Sequence, residues 1–103
     1  MSEELYNEFK SDHTTIIRQY LITGKLYEEY TDLSTYGVRI EKISIKYGGI
    51  RSRITNEMQG IFCRLSDAED FMEYIYERRT SPEQLHDDMN KFIDSKYLSR
   101  VTA

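Results

Sequence analysis

Residues 66–93 read SDAEDFMEYIYERRTSPEQLHDDMNKFI, and they hold two amphipathic helices that meet at Ser81-Pro82. Ser66-Asp67-Ala68-Glu69 has the form of a capping box, in which a serine oxygen accepts from an early amide and a glutamate reaches back to the first. Asp67, Glu69 and Asp70 put negative charge at the helix start, and Arg78 and Arg79 put positive charge at its end, as the helix dipole favours. Ala68, Phe71, Met72 and Ile75 recur on one face of a period of about 3.6 residues, with Tyr74 and Tyr76 on its flanks. The pattern restarts at Ser81. Pro82 suits the first helical position, where its missing N–H costs nothing, and Gln84 completes a second box. Pro82 also disfavours helical geometry at Ser81, so two helices are expected and not one rod. The second helix carries Leu85, Met89, Phe92 and Ile93 as its stripe, ending at Lys96 or Tyr97. Neither helix is long enough to be stable alone in water, so both need a sheet beneath them.

The upstream chain supplies it. Thr14 to Thr23 is rich in β-branched and aromatic residues and reads as a strand; Gly24-Lys25 reads as a turn, and Leu26 to Leu33 as a second strand. Tyr36 to Tyr47 is the longest strand signal. Tyr36, Val38 and Ile40 share one parity while Ile43, Ile45 and Tyr47 share the other, which predicts a β-bulge near Glu41-Lys42. Gly48-Gly49 reads as a hairpin turn. Ile50 to Glu57 returns with Ile50, Ser52 and Ile54 on one side and Arg51 and Arg53 on the other. Met58 to Leu65 then leads into the first helix, with Ile61, Cys63 and Leu65 alternating inward. Met1 to Asp12 is polar and acidic; Leu5 and Phe9 suit a short helix or a frayed terminus equally well, and residues 97–103 are expected to fray. The fold class that follows is α+β: an antiparallel meander of three to four strands, then two C-terminal amphipathic helices packed on one face.

The 103 residues make one domain, with a core over about 14–95 that needs no disulfide or metal. The single cysteine, Cys63, points to a cytoplasmic chain, because secreted chains of this size pair their cysteines. No apolar run is long enough to span a bilayer, and the acidic N-terminus is not a signal peptide, so no membrane association is expected. The net charge of −4 is uneven: Tyr36 to Arg64 carries +4, leaving −8 for the rest.

Three segments stand out together: Tyr36-Gly37-Val38-x-Ile40, Leu65-Ser66-Asp67, and Ser81-Pro82-x-x-Leu85-x-Asp87 followed by Phe92-Ile93. With them the chain resembles a family of small uncharacterised bacterial proteins, a domain of unknown function from anaerobic Gram-positive bacteria. The chain departs from that pattern at Glu83, Gln84 and Asp88, where apolar, histidine and apolar residues would stand. The resemblance covers roughly Tyr20 to Asp94 and implies a cytosolic α+β domain, but no activity or ligand.

No catalytic residue, metal site or cofactor is expected, and the chain does not read as an enzyme. His86, Asp87 and Asp88 are neighbours on a helix and point about 100° apart, so they read as exposed polarity and not as ligands. Cys63 reads as a buried, inert thiol. Glu28-Glu29 and Asp87-Asp88 read as solvated surface, and Gly48-Gly49 lacks the setting of a phosphate loop.

What remains is surface. Nine tyrosines and four methionines are residue types enriched at interfaces, and Tyr20, Tyr27, Tyr30, Tyr36 and Tyr47 cannot all lie under two helices. The first expectation is therefore a small interaction or regulatory domain that binds another protein, or itself, through a tyrosine-bearing sheet face. The alternative is weak single-stranded nucleic-acid binding by the basic central hairpin, where Arg51 and Arg53 neighbour Arg39, Lys42 and Lys46. Against it stand the acidic chain and the absence of an RNP-like motif. Either way the candidate surface is Tyr36, Arg39, Tyr47, Arg51 and Arg53.

Overall fold

The computed structural model describes residues 2–28 and 31–101, with side chains described over 2–25 and 33–96. Strands β1 (Ser2–Asp12), β2 (Thr15–Glu28), β3 (Thr31–Lys46) and β4 (Gly49–Phe62) form one open antiparallel sheet in chain order. Helix α1 (Leu65–Glu77), a 3₁₀ turn (Pro82–Gln84) and helix α2 (Leu85–Val101) follow and cover one face. This is the expected α+β meander with two C-terminal helices.

The helical stripes bury as their spacing predicts. Ala68, Phe71, Met72 and Ile75 of α1 join Leu85, Met89 and Phe92 of α2 over Phe9, Ile17, Leu21, Val38, Ile40 and Phe62, which come from all four strands. Phe71 sits at the centre, with ring centroids 5.1 Å from Phe92 and 5.7 Å from Phe62. At Ser81-Pro82 the rod breaks as expected: Ser81 is extended, and its N–H donates to Gln84 Oε1 at 3.3 Å.

A buried polar network ties helices to sheet. Gln19 is fully buried; its Nε2 donates to the Ile75 carbonyl at 3.1 Å and the Thr80 carbonyl at 3.2 Å. Its Oε1 accepts from Asn7 Nδ2 at 2.9 Å, and the same amide donates to the Met72 carbonyl. Thr80 Oγ1 donates to Asp88 Oδ2 at 2.5 Å, and Arg78 Nε donates to Asp88 Oδ1 at 3.1 Å. Arg79, at φ 52°, turns the chain out of α1, and the Thr80 and Arg79 amides donate back to Ile75 and Tyr76. That is the Schellman closure of a helix end, here made without glycine.

Several local expectations are corrected. Residues 2–12 are a strand, neither helical nor frayed: β1 pairs with β2, and a register shift between Leu5 and Asn7 lets both Asn7 and Phe9 face inward. Gly24-Lys25 is no turn, because β2 runs through it with Gly24 opposite Thr35. Leu26 to Leu33 is therefore not one strand; its ends belong to β2 and β3, and Glu29-Tyr30 between them lie outside the described residues. Frayed ends are not seen at 97–101 either, whose backbone continues α2.

No bulge occurs at Glu41-Lys42, since β3 keeps an unbroken register with β2. Its parity change is real but has another cause: Val38 and Ile40 face the helices, while Ile43 is buried on the opposite face beside Ile16. The irregularities fall on β4 instead, at Arg51 and at residues 59–61. Gly60, at φ 64°, lies in the second of these, which adds two residues and so keeps Phe62 on the helix side with Met58; Phe62 enters the core and Ile61 packs against it, while Cys63 and Leu65 are exposed. The hairpin turn is centred one residue early, on Tyr47 and Gly48 at φ 55° and 79°. Helix α1 begins at Leu65, which leaves Ser66 inside the first turn with no capping box. Asp88 is not exposed polarity but part of the buried network, unlike its exposed neighbours His86 and Asp87.

Candidate interaction surfaces

The uncovered sheet face is organised by charge. Register places Glu8, Arg18, Glu41 and Thr55 in one row across the four strands, with Tyr20, Arg39 and Glu57 in the next. Arg18 Nε donates to Glu8 Oε2 at 2.8 Å. Glu41 is buried among Arg18, Arg39 and Arg53, whose guanidinium nitrogens stand 3.9, 3.6 and 3.8 Å from its carboxylate. Arg39 also grips Glu3, with its Nε 3.0 Å from Oε2, and lies 4.4 Å over the Tyr20 ring. Hydrogen bonds to Glu8 and Glu3 raise the pKa values of Arg18 and Arg39 above the ordinary arginine value.

The predicted surface residues therefore part company. Arg39 and Arg53 join this ion-pair ladder. Tyr36 turns to the other face and packs against the core. Lys42, expected beside the arginines, also lies on the helix side and pairs with Glu83 at 2.5 Å. Only Tyr47 and Arg51 reach the free end of the hairpin. Tyr20 lies under Arg39, and the Tyr27 and Tyr30 side chains lie outside the described residues, so no tyrosine-bearing face is assembled among the residues described.

Beyond the Lys42–Glu83 pair and the hydrogen bond from Asn56 Nδ2 to the Pro82 carbonyl (3.1 Å), the β3–β4 hairpin leaves the helices behind, and residues 46–55 are all exposed. Tyr47 is 96% exposed, Ile50 59% and Ile54 45%. An open pocket of about 390 Å³ lies at this end, lined by Thr14, Ser44, Ile45, Lys46, Arg51 and Ser52. Arg51 is the extra residue of the register shift between Ser44 and Ile45, a device that re-aims a side chain. Beside the pocket the Thr14 N–H and hydroxyl donate to Asp12 at 2.8 and 3.0 Å, which holds that carboxyl below its ordinary pKa.

The two sheet edges differ as well. The β1 edge carries Glu3, Glu4, Glu8 and Asp12 against Lys10, and its register shifts twice. Along β4 the register with β3 is unbroken from Ser52 to Met58, and that stretch has exposed Ile54 at its middle and no proline. Sequence reasoning missed this edge. Its signal is the alternation of Ile50, Ser52 and Ile54, which specifies a face of the strand and not that the strand is a border.

Among the described residues, no three His, Cys, Asp or Glu side chains are grouped to hold a metal ion, and no helix is long and apolar enough to cross a membrane. No protein-family model matches the chain, and neither a curated protein nor a solved structure matches it.

Proposed function

We propose that the chain is a small non-enzymatic interaction domain that binds a polypeptide along the β4 edge. One observation carries this: β4 borders the sheet with a regular, exposed stretch from Ser52 to Glu57, broken only by the half-buried Asn56. A strand edge presents a row of N–H and C=O groups that another strand can complete, with specificity from the alternate side chains. Natural sheets blunt such borders with charges, bulges or proline; β1 carries four acids and two register shifts along its length, whereas the two shifts of β4 both lie outside Ser52 to Met58. To test this, a photo-reactive phenylalanine is placed at Ile54 and, as control, at the exposed Glu73 of α1. Discrete polypeptide adducts from position 54 and none from position 73 are expected; equal labelling, or none, refutes the assignment.

A second reading rests on the hairpin tip. Lys46 and Arg51 flank the pocket with hydroxyl neighbours, and Lys46 lies 5.2 Å over the exposed Tyr47 ring. Cations beside a free aromatic ring suit weak single-stranded nucleic-acid binding by stacking and phosphate contact. Oligonucleotide titration at two salt concentrations tests it, and absence of binding at low salt eliminates it.

A further inference from the structure

We infer that the strand completing β4 is β4 of a second copy, antiparallel, about a two-fold axis through Thr55. This rests on the edge-binding reading above and names its partner. Such an axis stands perpendicular to the sheet, so each open-face residue must meet an open-face residue of the other copy. Only registers that pair residues of equal parity satisfy this, because a one-residue slip sends side chains to the wrong face. Arg53, Thr55 and Glu57 all lie on the open face, opposite Ile43, Glu41 and Arg39 of β3.

Centring on Thr55 sets Thr55 against itself and Arg53 against Glu57, twice by symmetry. On the helix side Ile54 meets Asn56 and Ser52 meets Met58, so the whole contact stays inside the regular stretch from Ser52 to Met58. Opposite charges and threonine pairs are favourable directly across a strand pair, and no like charges meet. The neighbouring registers lose this. Centring on Ile54 sets Arg53 against Thr55 and uses the irregular Arg51; centring on Asn56 sets Thr55 against Glu57 and Arg53 against Gln59, inside the second irregularity. Glu57 is exposed and makes no ion pair among the described residues, while Arg53 holds Glu41 only at 3.8 Å, with guanidinium donors left over. RITNE, residues 53–57, is thus self-complementary when reversed. The product is one continuous eight-stranded sheet with both pairs of helices on the same side.

The test is a charge swap read by sedimentation across protein concentration. The native chain is expected to reach twice its 12.3 kDa mass. Arg53→Glu or Glu57→Arg alone sets two like-charged pairs face to face and should weaken the dimer roughly tenfold or more. The double variant Arg53→Glu/Glu57→Arg restores opposite charges and should restore the dimer. In a Cys63→Ser background, Thr55→Cys should oxidise readily to a disulfide-linked dimer and Gln59→Cys should not. A native chain that stays monomeric to millimolar concentration, or single swaps that leave the dimer unchanged, overturns the proposal. Should that monomer still give adducts of other mass from position 54, edge binding survives and self-pairing alone falls; with no adducts, both fall.

Discussion

The two faces of this sheet are held by different physics. On one, α1 and α2 bury a contiguous apolar cluster, and among the described residues no buried side-chain nitrogen or oxygen lacks a hydrogen-bond partner, with Asn7, Gln19, Thr80 and Asp88 all engaged. On the other, Ile22 and Ile43 are buried without a second layer, and Glu41 is hemmed in by three arginines from three strands. Apolar burial is non-directional and loses little to salt, whereas long charged side chains lying across strands seal a face only while their charges remain. The covered face should therefore set stability, and the uncovered one should respond to its medium.

The difference can be broken by substitution. Phe71→Ala empties the centre of the covered face and should cost about 3–5 kcal/mol in urea unfolding. Gly37→Ala should come next, at about 1–3 kcal/mol, because a Cβ there would stand 2.2 Å from the Met58 carbonyl oxygen and 2.8 Å from Gln59 Cα. Asp88→Ala strips Thr80 and Arg78 of their acceptor and should cost a similar or smaller amount, about 1–3 kcal/mol, with little dependence on salt. Glu41→Gln, on the open face, should cost about 1 kcal/mol or less, and less still at 1 M salt. If it cost as much as Phe71→Ala, the contrast between the faces would be wrong.

The smallest effect is a pH dependence. The hydrogen bond from Lys42 holds the Glu83 carboxyl below its ordinary pKa, so its contribution is present above the unfolded value and lost as pH falls through the folded one. Native protein should exceed Glu83→Gln in stability at pH 7, and the gap should close below about pH 4. Lys96 has the opposite sign: Asp67 and Asp70 raise it, so its contribution fades only as pH rises above the ordinary lysine value of about 10.4.

Periodicity made the covered half legible. The stripes of α1 and α2 and the Ser81-Pro82 break were plain because an apolar face every third or fourth residue has one meaning in a chain this short. Strand borders were not, because they depend on partners distant in sequence. Gly24 looks like a turn until Thr35 is set opposite it, and Phe9 looks helical until β2 is placed beside it. The candidate surface failed for a related reason. Composition located its positive charge correctly, but the carboxylates that engage Arg39 sit 36 residues away at Glu3 and two away at Glu41. Of the candidate residues on the open side, Arg51, displaced by a bulge, makes no ion pair among the described residues, and Tyr47, in a left-handed turn, stays exposed.

The acids along the outer strand have a final consequence for size. Glu3, Glu4, Glu8 and Asp12 would confront their own kind if two such borders approached, so the layer cannot keep growing on that flank. On the proposed pairing, one rim would join two copies while the acid-lined rim would resist a third, which favours a closed pair over a fibre; neutralising those acids is the change that would test it.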